Sequence, residues 1–83
     1  MTSGHTFVAE AVVLELFTKI NNQQRLELLR IFQSLADNPY LKGDRILKTK
    51  SGRKFQSKRF GRWLVGFWLD SAVLEVKIIS VEK

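Results

Sequence analysis

The apolar positions of this chain change their spacing once, near Asp44. Before it they recur at helical intervals; after it they alternate. From Phe7 to Ile20 the residues Val8, Ala9, Val12, Val13, Leu16, Phe17 and Ile20 form a stripe at the spacing of a helix face. Phe7, Ala11 and Leu14 widen that stripe beyond one face, and the three valines leave a strand open for its first few residues. The spacing predicts a helix over Phe7–Ile20 with more apolar arc than one sheet covers. Asn21 followed by Gln24 has the spacing of a capping box and predicts a second helix running to about Ala36. Leu26, Leu28, Leu29, Ile31, Phe32, Leu35 and Ala36 share its apolar arc. Asn38-Pro39 ends it, because proline disfavours helical geometry in the residue before it. A loop follows to Asp44, with Gly43 expected to supply freedom in φ.

Beyond Asp44 the period is two. Arg45–Lys50 alternates loosely, Ser51-Gly52 suits a tight turn, Lys54–Phe60 reads as a strand and Gly61 as a break. Arg62–Leu69 places Trp63, Val65, Phe67 and Leu69 on one face. Asp70-Ser71 then turns the chain into Val73–Val81, with Leu74, Val76 and Ile78 aligned. The expectation is a single α+β domain over residues 1–83. A two-helix N-terminal hairpin packs on one face of a four-stranded antiparallel sheet, whose other face is more polar and basic. Residues 1–6, small and polar, are expected to be loose.

Composition narrows the chemistry. Cysteine is absent and His5 is the one histidine, which removes disulfides, thiol catalysis and the usual zinc ligand sets, so no cofactor or metal is expected. The apolar stretch near the N-terminus is broken by Glu10 and Glu15 and is shorter than the ~20 residues of a membrane span. A soluble cytoplasmic protein is the expectation.

Charge is the more informative quantity. The net charge of +6 is concentrated in the second half of the chain. Nine cations lie between Lys42 and Arg62, opposed there by Asp44 alone. Lys48, Lys50, Arg53, Lys54, Lys58, Arg59 and Arg62 fall on consecutive strands joined by a short hairpin, a density that attracts a polyanion or an acidic protein. Phe55, Phe60 and Trp63 are interleaved with them and could stack on bases, although Trp63 and Phe67 fit a core better. The same lysines would equally serve to blunt exposed strands. Asp44, Asp70 and Glu75 form no evident catalytic pair; His5 is expected to be solvent-exposed with no catalytic role, and Tyr40 to pack and not to react.

The residues Leu35-Ala36-Asp37-Asn38-Pro39, then Gly43-Asp44, then Leu47-Lys48 and Arg59-Phe60-Gly61-Arg62-Trp63 follow one another in an order that resembles the RelE/ParE family of small bacterial toxins. That family has two amphipathic helices ending near L-a-x-N-P, a G-D loop, and a basic meander carrying R-x-G-x-Y, where Trp63 takes the aromatic place. Val73–Lys83 resembles its closing strand. The resemblance covers roughly residues 7–83, and it implies the toxin of a toxin–antitoxin pair whose cognate partner is an acidic antitoxin. One activity it implies is ribosome-dependent cleavage of messenger RNA without metal. Arg59 with Lys58 or Lys54 would then act on the scissile phosphate, and Lys48, Lys50, Arg53 and Arg62 would bind RNA. The other is a binding module that grips a protein such as DNA gyrase. Leu64 stands where the RNA-cleaving members carry arginine, and the basic or aromatic group they place beyond the closing strand has no counterpart before Lys83. The family's first strand is expected only as a vestige around residues 5–9. The wide apolar face of Phe7–Ile20 is expected to cover itself with a second copy, as a homodimer, or with the antitoxin.

Overall fold

The computed structural model describes residues 5–83. Its elements run β1 (Thr6–Ala9), α1 (Ala11–Phe17), α2 (Asn22–Asp37), β2 (Arg45–Lys48), β3 (Lys54–Phe60), β4 (Trp63–Asp70) and β5 (Glu75–Glu82). The class is α+β, with two helices on one face of a sheet ordered β1-β5-β4-β3-β2. No helix forms among residues 45–69, where the alternating period begins.

The sheet has five strands and is mixed, which corrects the expected four-stranded antiparallel meander. The extra strand comes from the segment read as the start of a helix. Thr6–Ala9 pairs in parallel with Glu75–Ile78 of β5, and Glu10 N–H continues the ladder by donating to Ile78 O at 3.0 Å. Helical spacing and β-branched content compete in that segment, and the free edge of β5 decides between them. The helix that remains spans only Ala11–Phe17. Splitting the segment also disposes of most of its surplus apolar arc. Phe7 and Ala9 reach the core from the strand, while Val13, Leu16, Phe17 and Ile20 reach it from the helix and the turn beyond. His5 lies edge-on to Tyr40 with ring centroids 6.3 Å apart and Thr6 begins β1, so these two residues of the segment expected to be loose are packed into the fold. The rest of the segment expected to be loose, residues 1–4, lies outside the described residues.

The capping box forms as its spacing predicts. Gln24 N–H donates to Asn21 Oδ1 at 2.9 Å, and Asn21 N–H donates to Gln24 Oε1 at 3.1 Å. Arg25 then ties the helices together, its Nε donating to the Phe17 carbonyl at 2.6 Å and so satisfying an end group of α1. Leu28, Phe32, Leu35 and Ala36 bury the inner side of α2. Leu28, Phe32 and Leu35 meet Trp63, Val65 and Phe67 of β4 and Val76 and Ile78 of β5 in one core, with the Phe7 and Phe17 rings 5.5 and 6.1 Å from that of Phe32.

Three local expectations change. Val73 and Leu74 belong to the turn before β5, not to the strand; Leu74 has φ +56° and is exposed, out of line with Val76 and Ile78. The strand beginning at Arg45 ends at Lys48, where Thr49 N–H donates to Arg53 O and closes the hairpin. Gly43 serves close approach and not a left-handed φ. A Cβ there would sit 2.7 Å from the Ser57 carbonyl oxygen. That space lets Asp44 N–H donate to Ser57 O at 2.7 Å and extend the pairing of β2 with β3.

Candidate nucleic-acid interface

Register decides which side chains share a face. Lys58, Val65 and Val81 form one row across β3, β4 and β5, and Gln56, Phe67 and Ile78 another; these rows face the helices. The alternate rows face away. They are Arg59–Leu64–Glu82, Arg45–Ser57–Gly66–Ser80, and Val8–Lys77–Trp68. This second, open face carries the candidate site.

The cations named from the sequence do not converge. Arg59 is on the open face, its backbone N–H donating to Asp44 Oδ2 at 3.1 Å and its Nη1 to the Arg62 carbonyl at 3.2 Å. Lys58 is on the helix side, 3.5 Å from Asp44 Oδ1. Lys48 and Lys54 are cross-strand partners on that same side, where the helices leave Ile46 exposed. Two like charges directly opposite each other weaken the strand pair and favour an anion between them. Lys50 lies in the turn between β2 and β3. Arg53 lies across the Trp68 ring with its guanidinium carbon 4.0 Å from the centroid, which puts it on the open face. Arg62 is committed to α2: its Nε and Nη2 donate to the two carboxylate oxygens of Glu27 at 3.1 and 2.8 Å.

Three features escaped sequence reasoning. Arg45 joins Arg59 and Arg53 on the open face, a placement set by register with Ser57. Glu27 reaches the β3–β4 turn, and besides Arg62 it accepts from Trp63 Nε1 at 3.0 Å. That indole hydrogen bond, together with Arg62, holds its carboxyl below the usual range. The third is the polarity of the open face. Arg45, Arg53 and Arg59 occupy its β2–β3 half, whereas Asp70, Glu75 and Glu82 occupy its β4–β5 half. The expected basic face is therefore basic over one half only. Lys77 belongs to the acidic half; the Glu75 carboxylate, 2.6 Å away, raises its pKa, aided by Asp70 and Glu10. Asp44 is held low chiefly by the Arg59 backbone N–H, with help from Lys58.

Two concave places bear on chemistry. A cleft of about 450 Å³ lies between α2 and the β3–β4 turn, lined by Glu27, Arg30, Ile31, Phe60, Arg62 and Trp63. A cavity of about 380 Å³ opens beside Trp68, with Glu10, Thr49, Ser51, Arg53 and Ile79 around it. Among the described residues no three His, Cys, Asp or Glu side chains group as a metal site, and no helix is long and apolar enough to cross a membrane.

No known protein family, characterised protein or solved structure matches this chain. What the site can do is therefore read from its residues. The open face offers guanidinium groups for phosphate and a partly exposed indole for stacking. Arg59, Lys58 and Lys54, named together for phosphate chemistry, are divided between two faces of the sheet.

Proposed function

We propose that this protein is a RelE/ParE-type toxin whose open sheet face binds single-stranded RNA, and that it acts by binding and not by cleaving. The observation that carries the reading is the placement of Arg45, Arg53 and Arg59 on one half of one face, with Arg53 against the Trp68 ring. Guanidinium groups grip phosphate with paired hydrogen bonds, and an adjacent ring holds a base without regard to its identity. The split between Arg59 and the two lysines argues against a shared scissile phosphate. The toxin assignment draws on the order of the motifs. Asn38-Pro39 ends α2, Gly43-Asp44 joins the sheet before β2, and Arg59 to Trp63 spans the β3–β4 turn. An acidic antitoxin is the proposed partner. Val12 and Leu14 of α1 with Leu26 and Leu29 of α2, all exposed, are the apolar surface offered to it or to a second copy.

Fluorescence anisotropy with a labelled single-stranded RNA tests the reading. The logarithm of the affinity should fall linearly with the logarithm of salt, as expected when several phosphates are neutralised together. Arg59→Ala should cost about 1.5–3 kcal/mol, the range for a hydrogen bond to a charged group. The RNA should emerge uncut on a denaturing gel. Absence of binding at low salt would transfer the assignment to a protein target such as gyrase.

A further inference from the structure

The cavity beside Trp68 holds two opposite charges that do not pair. Glu10 and Arg53 both line it. Among the described residues, Glu10 makes no side-chain hydrogen bond or close ion pair, acting on Lys77 only at longer range, and Arg53 makes one side-chain contact, the stack on Trp68 at 4.0 Å. Glu10 stands at the N-cap of α1 without its carboxylate capping the helix, and its backbone is fixed by the bond to Ile78 O. The hairpin end that lines the same cavity is braced by side-chain hydrogen bonds. Thr49 Oγ1 lies 2.9 Å from Ser51 Oγ and accepts from Arg53 N–H at 3.2 Å. A carboxylate and a guanidinium that line one cavity, too far apart to bond each other, suit a planar ligand with paired donors on one edge and paired acceptors on another.

We infer that this cavity is a guanine-selective subsite, with the Trp68 ring as the stacking surface, Glu10 reading the donor edge and Arg53 the acceptor edge. Of the four RNA bases, guanine alone presents two adjacent donors, N1–H and the N2 amine, which match the two oxygens of a carboxylate. It also presents O6 and N7, the acceptor pair that arginine grips with two hydrogen bonds. Adenine and cytosine each offer a single amine, and uracil a single N–H between two acceptors. Thr49 and Ser51 are placed to meet a sugar or phosphate at the rim. The inference deepens the RNA-binding reading and rests on it for the strand as the source of the base; a free guanosine nucleotide would carry the same chemistry.

Trp68 supplies the readout, because a base stacked beside it quenches its emission while Trp63 stays buried at 1% exposure. Guanosine, adenosine, cytidine and uridine monophosphates are titrated first, then single-stranded hexamers with one G, A or inosine in a uridine background. Guanine should bind about tenfold tighter than adenine, the lower range for one paired base contact. Inosine, which lacks the N2 amine, should fall between them. Glu10→Gln should bring the guanine-containing hexamer down about tenfold, to the affinity of the adenine-containing one, and circular dichroism should report an intact fold. Strand binding with equal affinity for all bases would overturn the guanine inference and leave the RNA reading standing. Selective binding of the mononucleotide without strand binding would support the subsite and overturn the RNA reading. Binding of neither would overturn both.

Discussion

Glu27 and Trp63 are joined by a hydrogen bond of 3.0 Å across 36 positions of sequence, from the middle of α2 to the first residue of β4. The indole is buried at 1% exposure, so its N–H has the Glu27 carboxylate in place of water. Arg62, next in the chain to Trp63, binds the same carboxylate through two nitrogens. The β3–β4 turn is thereby fastened to the helical layer through one side chain.

That fastening should be visible in the response to acid. The folded-state pKa of Glu27 is depressed from 4.5, and that of Asp44 from 3.8. A depressed carboxylate stabilises the fold above its unfolded pKa, and the contribution is lost as pH falls through the folded value. Melting temperature should hold level through neutral pH and decline below those ordinary values. Glu27→Gln keeps an acceptor for the indole but removes the charge, so its melting point should be lower at pH 7 and its acid decline shallower. A decline in Glu27→Gln as steep as in wild type would assign the acid response to other groups.

Gly43→Ala should destabilise by about 1–3 kcal/mol, the usual cost of forcing an atom into packed space. The new Cβ would meet the Ser57 carbonyl oxygen at 2.7 Å and Gln56 Cβ at 2.9 Å, and backbone cannot swing aside. Urea denaturation measures it. An unchanged midpoint would mean that the loop before β2 moves freely away from β3.

Leu74→Gly should do the opposite. Leu74 has φ +56° in the turn before β5 and is 45% exposed. A left-handed conformation costs a residue with a Cβ about 1–2 kcal/mol, and glycine escapes it at the expense of some unfolded-state entropy. A net gain of roughly 0.5–1 kcal/mol in urea denaturation is expected.

The limits of sequence reading lie in particular residues. Asn21 and Gln24 announced the start of α2 because a capping box is a local device, complete within four positions. Thr6–Ala9 misled because its fate depends on β5, almost 70 positions away. The two-fold period of β3 and β4 was legible, and with it the burial of Trp63 and Phe67. The same period puts neighbouring cations on opposite faces, so the compact basic run from Lys54 to Arg62 was bound to divide. Glu27 carried no signal of its role: on α2 it reads as one more solvated carboxylate, and only the approach of the β3–β4 turn gives it partners.

Leu64 bears most directly on activity. It is the cross-strand partner of Arg59 on β3 and of Glu82 on β5, in one row of the open face. Leu64→Arg places a second guanidinium beside Arg59, which should tighten RNA binding by supplying another phosphate contact. The register adds a complication, since the new cation would also stand opposite the Glu82 carboxylate. Opposite charges facing each other across a strand pair attract, and a neutralised arginine offers less to phosphate. Leu64→Arg alone should therefore gain little. Combined with Glu82→Gln it should gain about 1 kcal/mol or more and steepen the salt dependence by close to one ion. Anisotropy across a salt series, with both single variants as controls, separates the contributions. If the double variant binds no better than wild type, phosphate does not lie along the Arg59–Leu64–Glu82 row, and the RNA path must follow Arg45 and Arg53 instead.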